Sequence, residues 1–243
     1  MEKIPFLQPT VNSIRKSIKG IDDSYNNFWD ILAELIQNSV DAINKKYEKR
    51  GKIDIEINSL QKSIKIRDDG VGIEKEKIPI LLSPFSTDKE NDLGSIGEKG
   101  VGLKFVIFQS NDFKMKTSTL NSQEISEVNI PGAKMWKEGD STENFCLELE
   151  SRTENFQGTE IVIKGVENDK LFDLNFNSLK FIIRTKTAIG NVLSIFEENN
   201  DIRVYLKYTD RSGRINQEEL PYKYWLPTEN IKKSDKCDLD DFK

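Results

Sequence analysis

Hydrophobic and polar positions alternate along this chain with two distinct periods. Between residues 28 and 49, Phe28, Trp29, Leu32, Ile36, Val40 and Ile43 recur at helical spacing with no Pro or Gly among them, which predicts an amphipathic helix. Residues 52–58 and 63–67 then alternate apolar and polar, with Asn58-Ser59 opening the connection, which predicts a hairpin of half-buried strands. A short helix is expected over 74–82, and residues 83–99 lose all periodicity and mix Pro, Gly, Ser and Asp, so they read as a functional loop or lid. Helical pattern returns over 100–110, with Leu103, Val106 and Ile107 as its buried face.

Four strand-like runs follow, near 112–118, 124–130, 144–150 and 159–164, separated by Pro131-Gly132, Gly139-Asp140 and Gln157-Gly158. Consecutive strands of this kind predict an antiparallel meander. Residues 179–196 read as a further helix and 201–208 as a further strand, while 228–243 is polar and charged with little to bury. It reads as a frayed terminus or as a linker leading into a second domain.

Composition narrows the chemistry. The chain has 243 residues, 36% hydrophobic and 32% charged, enough for one large domain or one domain with an appendage. There is no histidine and there are two cysteines, Cys146 and Cys237, so His-dependent nucleophilic catalysis and the usual zinc spacings are excluded. No stretch approaches the ~18 apolar residues of a membrane span, and no long apolar run follows the charges at the start, so a cytoplasmic protein without membrane contact is expected. A net charge of −5 argues against a dedicated nucleic-acid surface; the basic clusters at Lys45, Lys46, Lys49, Arg50 and Lys52 and at Lys180, Arg184 and Lys186 read as solvated helix faces.

Three motifs carry the candidate chemistry: E-L-I-Q-N-S-V-D-A at 34–42, D-D-G-V-G-I at 68–73 and G-E-K-G-V-G-L-K at 97–104. At about 100° per residue, Glu34, Asn38 and Asp41 lie within about 60° of one another on the side away from most of the apolar stripe. Asp68 falls where a strand turns, and a buried carboxylate there can accept a hydrogen bond from an amine on a base edge. Gly97, Gly100 and Gly102 at a helix start would open backbone N–H groups to anionic oxygens. Their G-x-x-G-x-G spacing matches neither the Walker A loop nor the dinucleotide fingerprint.

Taken in this order, the motifs resemble the N, G1 and G2 boxes of the GHKL superfamily, the Bergerat-fold ATPases that include gyrase B, the ninety-kilodalton heat-shock chaperone, MutL and sensor histidine kinases. Gly158-Thr159 is similar to the strand that closes the family's adenine pocket, and the resemblance covers about residues 25–165. It implies an α+β fold, a two-layer sandwich with helices on one face of a mixed, mostly antiparallel sheet. It also implies an ATP-binding domain over 1–205, with an N-terminal segment at 1–25 and a lid at 83–99, followed by an extension at 206–243.

The resemblance assigns Glu34 as the base that activates water and Asn38 as the ligand to Mg²⁺. The rest of the expected nucleotide site is Asn38, Asp41, Lys45, Asp68, Gly70, Gly72, Ile73, Gly97, Lys99, Gly100, Val101, Gly102, Leu103, Lys104 and Thr159. ATP and Mg²⁺ are the implied cofactors, and an ATP-dependent homodimer is an implied partnership, with residues 1–25 reaching to a partner or capping their own domain. A protein client and a nucleic acid both stay open. Two alternatives stand beside an ATPase: a protein kinase of the mitochondrial dehydrogenase-kinase type, which also keeps a Glu in the first motif, and a non-hydrolysing ATP-dependent interaction module.

Overall fold

A computed structural model describes residues 10–46, 48, 50–83, 101–192 and 202–226. Its centre is an eight-stranded sheet in the order β5-β4-β3-β6-β2-β1-β7-β8. The strands are β1 (Gly51–Asn58), β2 (Ser63–Asp68), β3 (Asp112–Ser118), β4 (Glu124–Pro131), β5 (Glu148–Thr153), β6 (Gly158–Lys164), β7 (Ile202–Thr209) and β8 (Ile215–Leu220). Every pairing is antiparallel except β1 with β7. The α-helices packed on it are α1 (Val11–Asp22), α2 (Asp30–Asn44), α3 (Ile78–Leu82), α4 (Gly102–Phe108), α5 (Ala133–Glu138), α6 (Asp169–Phe172) and α7 (Phe176–Lys186). The α+β sandwich is therefore as the sequence implies.

Strand alternation explains the layering. Ile53, Ile55 and Ile57 of β1, Ile64 and Ile66 of β2, Ile161 and Ile163 of β6 and Val204 and Leu206 of β7 are buried toward the helices. The other face of β1, β2 and β7 carries Lys52, Asp54, Glu56, Lys65, Arg67, Tyr205 and Lys207, cross-linked by pairs such as Lys65–Glu160 (3.0 Å) and Lys207–Glu56 (2.9 Å). α2 contributes Ile31, Leu32, Leu35, Ile36, Val40 and Ile43 to the core. Burying six such side chains stabilises the layer contact by roughly 10 kcal/mol before the entropy of ordering them.

Several expectations are corrected. The runs at 112–164 do not form a simple meander: after β5 the chain returns to the opposite edge of β3, and β6 pairs with both β3 and β2. This insertion places residues 158–164 at the sheet centre. The strand expected near 144–150 starts later, at Glu148, and α5, α6 and β8 have no counterpart among the expected elements. Within the described residues, the helix expected over 179–196 occupies Phe176–Lys186, with Asn175 capping its start by accepting from the Ser178 amide at 2.9 Å; residues 193–196 lie outside the described residues.

The boundary expected at 205 falls inside β7, and β8 is hydrogen-bonded along β7 from Thr209↔Ile215 to Val204↔Leu220. Beyond β8 the chain folds back on α7, where buried Arg184 donates to the carbonyls of Lys223 (3.0 Å) and Tyr224 (3.3 Å). Residues 206–226 therefore complete the sheet and its helix layer. The second basic cluster is likewise committed to packing: Lys180 pairs with Glu218 at 2.7 Å, and Lys186 sits 5.6 Å from the Trp29 ring centre.

The N-terminal segment, as far as it is described, caps its own domain. Thr10 accepts from the Ser13 amide at 3.2 Å and starts α1. Arg15 donates to the Trp136 carbonyl (3.0 Å) and to the Ser141 carbonyl (2.7 Å), and Lys137 pairs with Asp22 at 2.5 Å, so α1 is fastened to α5. The expected reach across to a partner concerns residues 1–9 as well, which lie outside the described residues, as do 84–99 of the expected lid.

Candidate functional site

Between α2, α4 and the helix-covered face of the sheet lies a cavity of about 970 Å³. Its floor is Ile66 and Asp68 of β2, Met115 of β3, and Thr159 and Ile161 of β6. The central position of β6 makes this floor, because it sets Asp68 opposite Thr159 and Thr159 opposite Thr117 in register. Three polar side chains thus sit side by side in an otherwise apolar layer.

Their hydrogen bonds are internally consistent. The Gly70 amide donates to Asp68 Oδ1 at 2.9 Å. The Ile73 amide donates to Thr117 Oγ1 at 2.9 Å, and Thr117 Oγ1 lies 3.1 Å from Thr159 Oγ1. Burial pushes the Asp68 carboxyl up to about 7, against the opposing pull of hydrogen bonds from Gly70, Ser39 and Thr159. A carboxyl so desolvated at a cavity floor is a candidate binding position. Asp69 points the other way, accepting from the Lys52 amide at 2.9 Å.

One wall is the polar face of α2. Glu34, Asn38, Asp41 and Lys45 all line the cavity, as their spacing of four, three and four residues requires of one helix face. Glu34 Oε1 accepts from the Tyr25 hydroxyl at 2.8 Å, and Asp41 Oδ1 accepts from Gln37 Nε2 at 2.9 Å. The buried Nδ2 of Asn38 has no hydrogen-bond partner among the described residues. The Asn38 side chain carries an amide oxygen, a donor type that suits an oxygen-coordinated cation.

The rest of the lining includes Val71, Gly72, Ile73 and Leu81 with Val101, Gly102 and Leu103 at the start of α4. Gly72 has φ of 71°, and a Cβ there would fall on the Ser118 carbonyl oxygen, so only glycine keeps this turn against β3. At Gly102 a Cβ would coincide with Glu34 Oε2, so the glycine lets the carboxylate lie directly on the α4 backbone.

Most of the expected site residues are brought together here, with two exceptions among those described. Lys104 is only 1% exposed and is not among the residues that line the cavity. Gly70 also lies off the wall; it packs on Ala42, whose Cβ would be 2.6 Å from a Cβ at Gly70, and acts through its amide on Asp68. Gly97, Lys99 and Gly100 lie outside the described residues.

Sequence reasoning misses Tyr25, Ser39 and Lys77, which line the cavity, and Thr117 beneath it. Ser39 stands inside the first motif, next to Asn38, and strand register alone would place Thr117 beside Thr159. Tyr222 is missed as well; it comes close enough to Asp41 for that charge, after burial, to raise its hydroxyl pKa.

Residues 25–164 match the model of the histidine kinase-, DNA gyrase B- and HSP90-like ATPase family, and the chain belongs to that family. It is an ATP-binding domain of the GHKL superfamily. The chain is 24% identical to the chaperone protein HtpG of Helicobacter pylori, over 82% of its own length and 33% of the relative's. It is 28% identical to the DNA mismatch repair protein MutL of Bacillus pumilus, over 77% of this chain and 26% of that one. For the MutL of Borreliella afzelii the identity is 26%, over 100% and 41%.

The chain thus spans well under half the length of these curated relatives. Among solved structures, the N-terminal domain of a DNA repair protein has a TM-score of 0.53 at 18% identity, over 84% of this chain and 54% of that one, which shows the shared fold. Among the described residues no helix is long and apolar enough to cross a membrane.

Proposed function

We propose that the cavity binds ATP with Mg²⁺ and that the protein hydrolyses it, with Glu34 as the base. The observation that carries this reading is the placement of Glu34 and Asn38, one turn apart on α2, on the wall of the same cavity whose floor holds the desolvated Asp68. Adenine offers an exocyclic amine that ionised Asp68 accepts, with Thr159 beside it. Guanine offers a carbonyl oxygen at that position, which the carboxylate repels, so ATP is preferred over GTP.

Asn38 would hold Mg²⁺ through its amide oxygen, the ligand type this ion prefers. When bound, the ion offsets charge on the transferred phosphoryl group. Asp41 and Lys45 extend the same face of α2. Val101, Gly102 and Leu103 bring the start of α4 to the cavity, and Ile66, Met115 and Ile161 give the base an apolar bed. Glu34, a carboxylate rather than an amide, is able to take a proton from the attacking water.

Phosphate release by the protein is expected to require Mg²⁺ and to be lost in Glu34→Gln while ATP still binds. Release at the parent rate from Glu34→Gln would remove Glu34 as the base. The same proposal includes an ATP-driven conformational change or self-association. Sedimentation with ADP and with a non-hydrolysable ATP analogue should give different masses, and identical masses would exclude the dimer.

A further inference from the structure

Glu34 is held from two sides before any nucleotide is considered. Its Oε1 accepts from the Tyr25 hydroxyl at 2.8 Å, and its Oε2 occupies the space that a side chain at Gly102 would fill. Tyr25 is itself fixed: its ring stacks on Phe105 of α4 with centroids 3.9 Å apart and planes 11° from parallel. Its amide donates to the Asp22 carbonyl at 3.0 Å, in the turn that closes α1. Asp22 in turn holds Lys137 of α5 at 2.5 Å.

The hydroxyl thus belongs to a connected path from α5 through α1 to the carboxylate on α2. Burial, and then the Glu34 charge, push the Tyr25 pKa up, so the hydroxyl keeps its proton and remains a donor.

We infer that Tyr25 is the positioning residue for Glu34, and that its hydroxyl bond selects the carboxylate rotamer that faces water in the cavity; this rests on the proposed role of Glu34 as base. A glutamate on a helix face has three side-chain torsions, and freezing them costs rotamer entropy. The Tyr25 hydroxyl and the Gly102 backbone meet that cost in the folded protein, so it does not recur at each turnover. Tyr25 lies nine residues before Glu34, in the turn between α1 and α2, and its hydroxyl donates to the base. Its ring makes a separate contact, with α4, so the two roles separate in one substitution.

Tyr25→Phe keeps the ring and removes the bond. In steady-state ATP hydrolysis by the whole protein it is expected to lower kcat roughly 10- to 100-fold while KM stays within about twofold. Calorimetric ATP affinity and Tm are expected to match the parent. A parental or raised kcat would overturn the inference and leave the ATPase reading standing, because that reading is tested separately by Glu34→Gln. A variant whose ATP binding or Tm falls along with kcat would assign Tyr25 a packing role and overturn it as well. A parent protein that binds ATP without hydrolysing it would overturn both.

Discussion

Asp68 is a carboxyl at the end of β2, 5% exposed, with an amide, a hydroxyl and a backbone group donating to it and no basic side chain among the groups that set its pKa. Its pKa rises from 3.8 to about 7, so the folded state binds this proton more tightly than the unfolded chain. The stability this proton contributes is complete below about pH 4 and is lost as pH rises through 7. Urea denaturation of the nucleotide-free protein should therefore show stability falling between pH 5 and 8, and Asp68→Asn, which does not titrate, should flatten that slope. An unchanged slope in Asp68→Asn would assign the titration elsewhere. At this scale the sequence is informative wherever a motif marks the residue. The cavity-lining Glu34, Asn38 and Asp68 are legible, whereas Tyr25 has no periodic or motif signal, and the burial of Lys104 is not legible because a lysine beside a glycine motif reads as exposed even inside an apolar run.

The elements show why pattern alone goes so far. α2 and β1 to β3 are legible because their apolar positions repeat with the period of a helix or a strand, and the observed boundaries differ from those expected by a few residues at most. α5 and α6 escape notice because helices of 6 and 4 residues show too few turns to establish a period. The return of β6 between β3 and β2 is set by burial of both its neighbours' faces, which a linear reading does not contain.

Two predictions belong here. Lys137→Ala should release α1 from α5 and lower stability by about 1–3 kcal/mol, because Asp22 then keeps a largely desolvated charge without its partner; denaturation curves that overlay the parent would show that the pair contributes nothing. Gly102→Ala places a methyl where Glu34 Oε2 lies, so the carboxylate must rotate away. Phosphate release is expected to fall at least about tenfold with α4 still folded by circular dichroism, and a parental rate would show that the close approach is not needed.

At the scale of the whole molecule, the sheet is finished by the strand least visible in the sequence. β8 buries only Leu220 among its own residues, yet it covers the outer edge of β7, and the segment after it is tied to Arg184 and reaches Asp41 through Tyr222. A chain ended at residue 205 should therefore lose cooperative unfolding, while one ended at residue 226 should keep it; equal Tm values would make 206–226 dispensable. The layered α+β architecture and the position of the cavity are readable from three motifs and their resemblance to a family. The closing of the sheet by β7 and β8 is not, because it depends on pairing between segments about 150 residues apart. In the proposed function, one cavity reads adenine through Asp68. Titration calorimetry of Mg²⁺-ATP and Mg²⁺-GTP into the parent protein and into Asp68→Asn tests it directly. ATP should bind the parent at least about tenfold more tightly than GTP, and Asp68→Asn should lose most of that preference; equal affinities for the two nucleotides in the parent would contradict it.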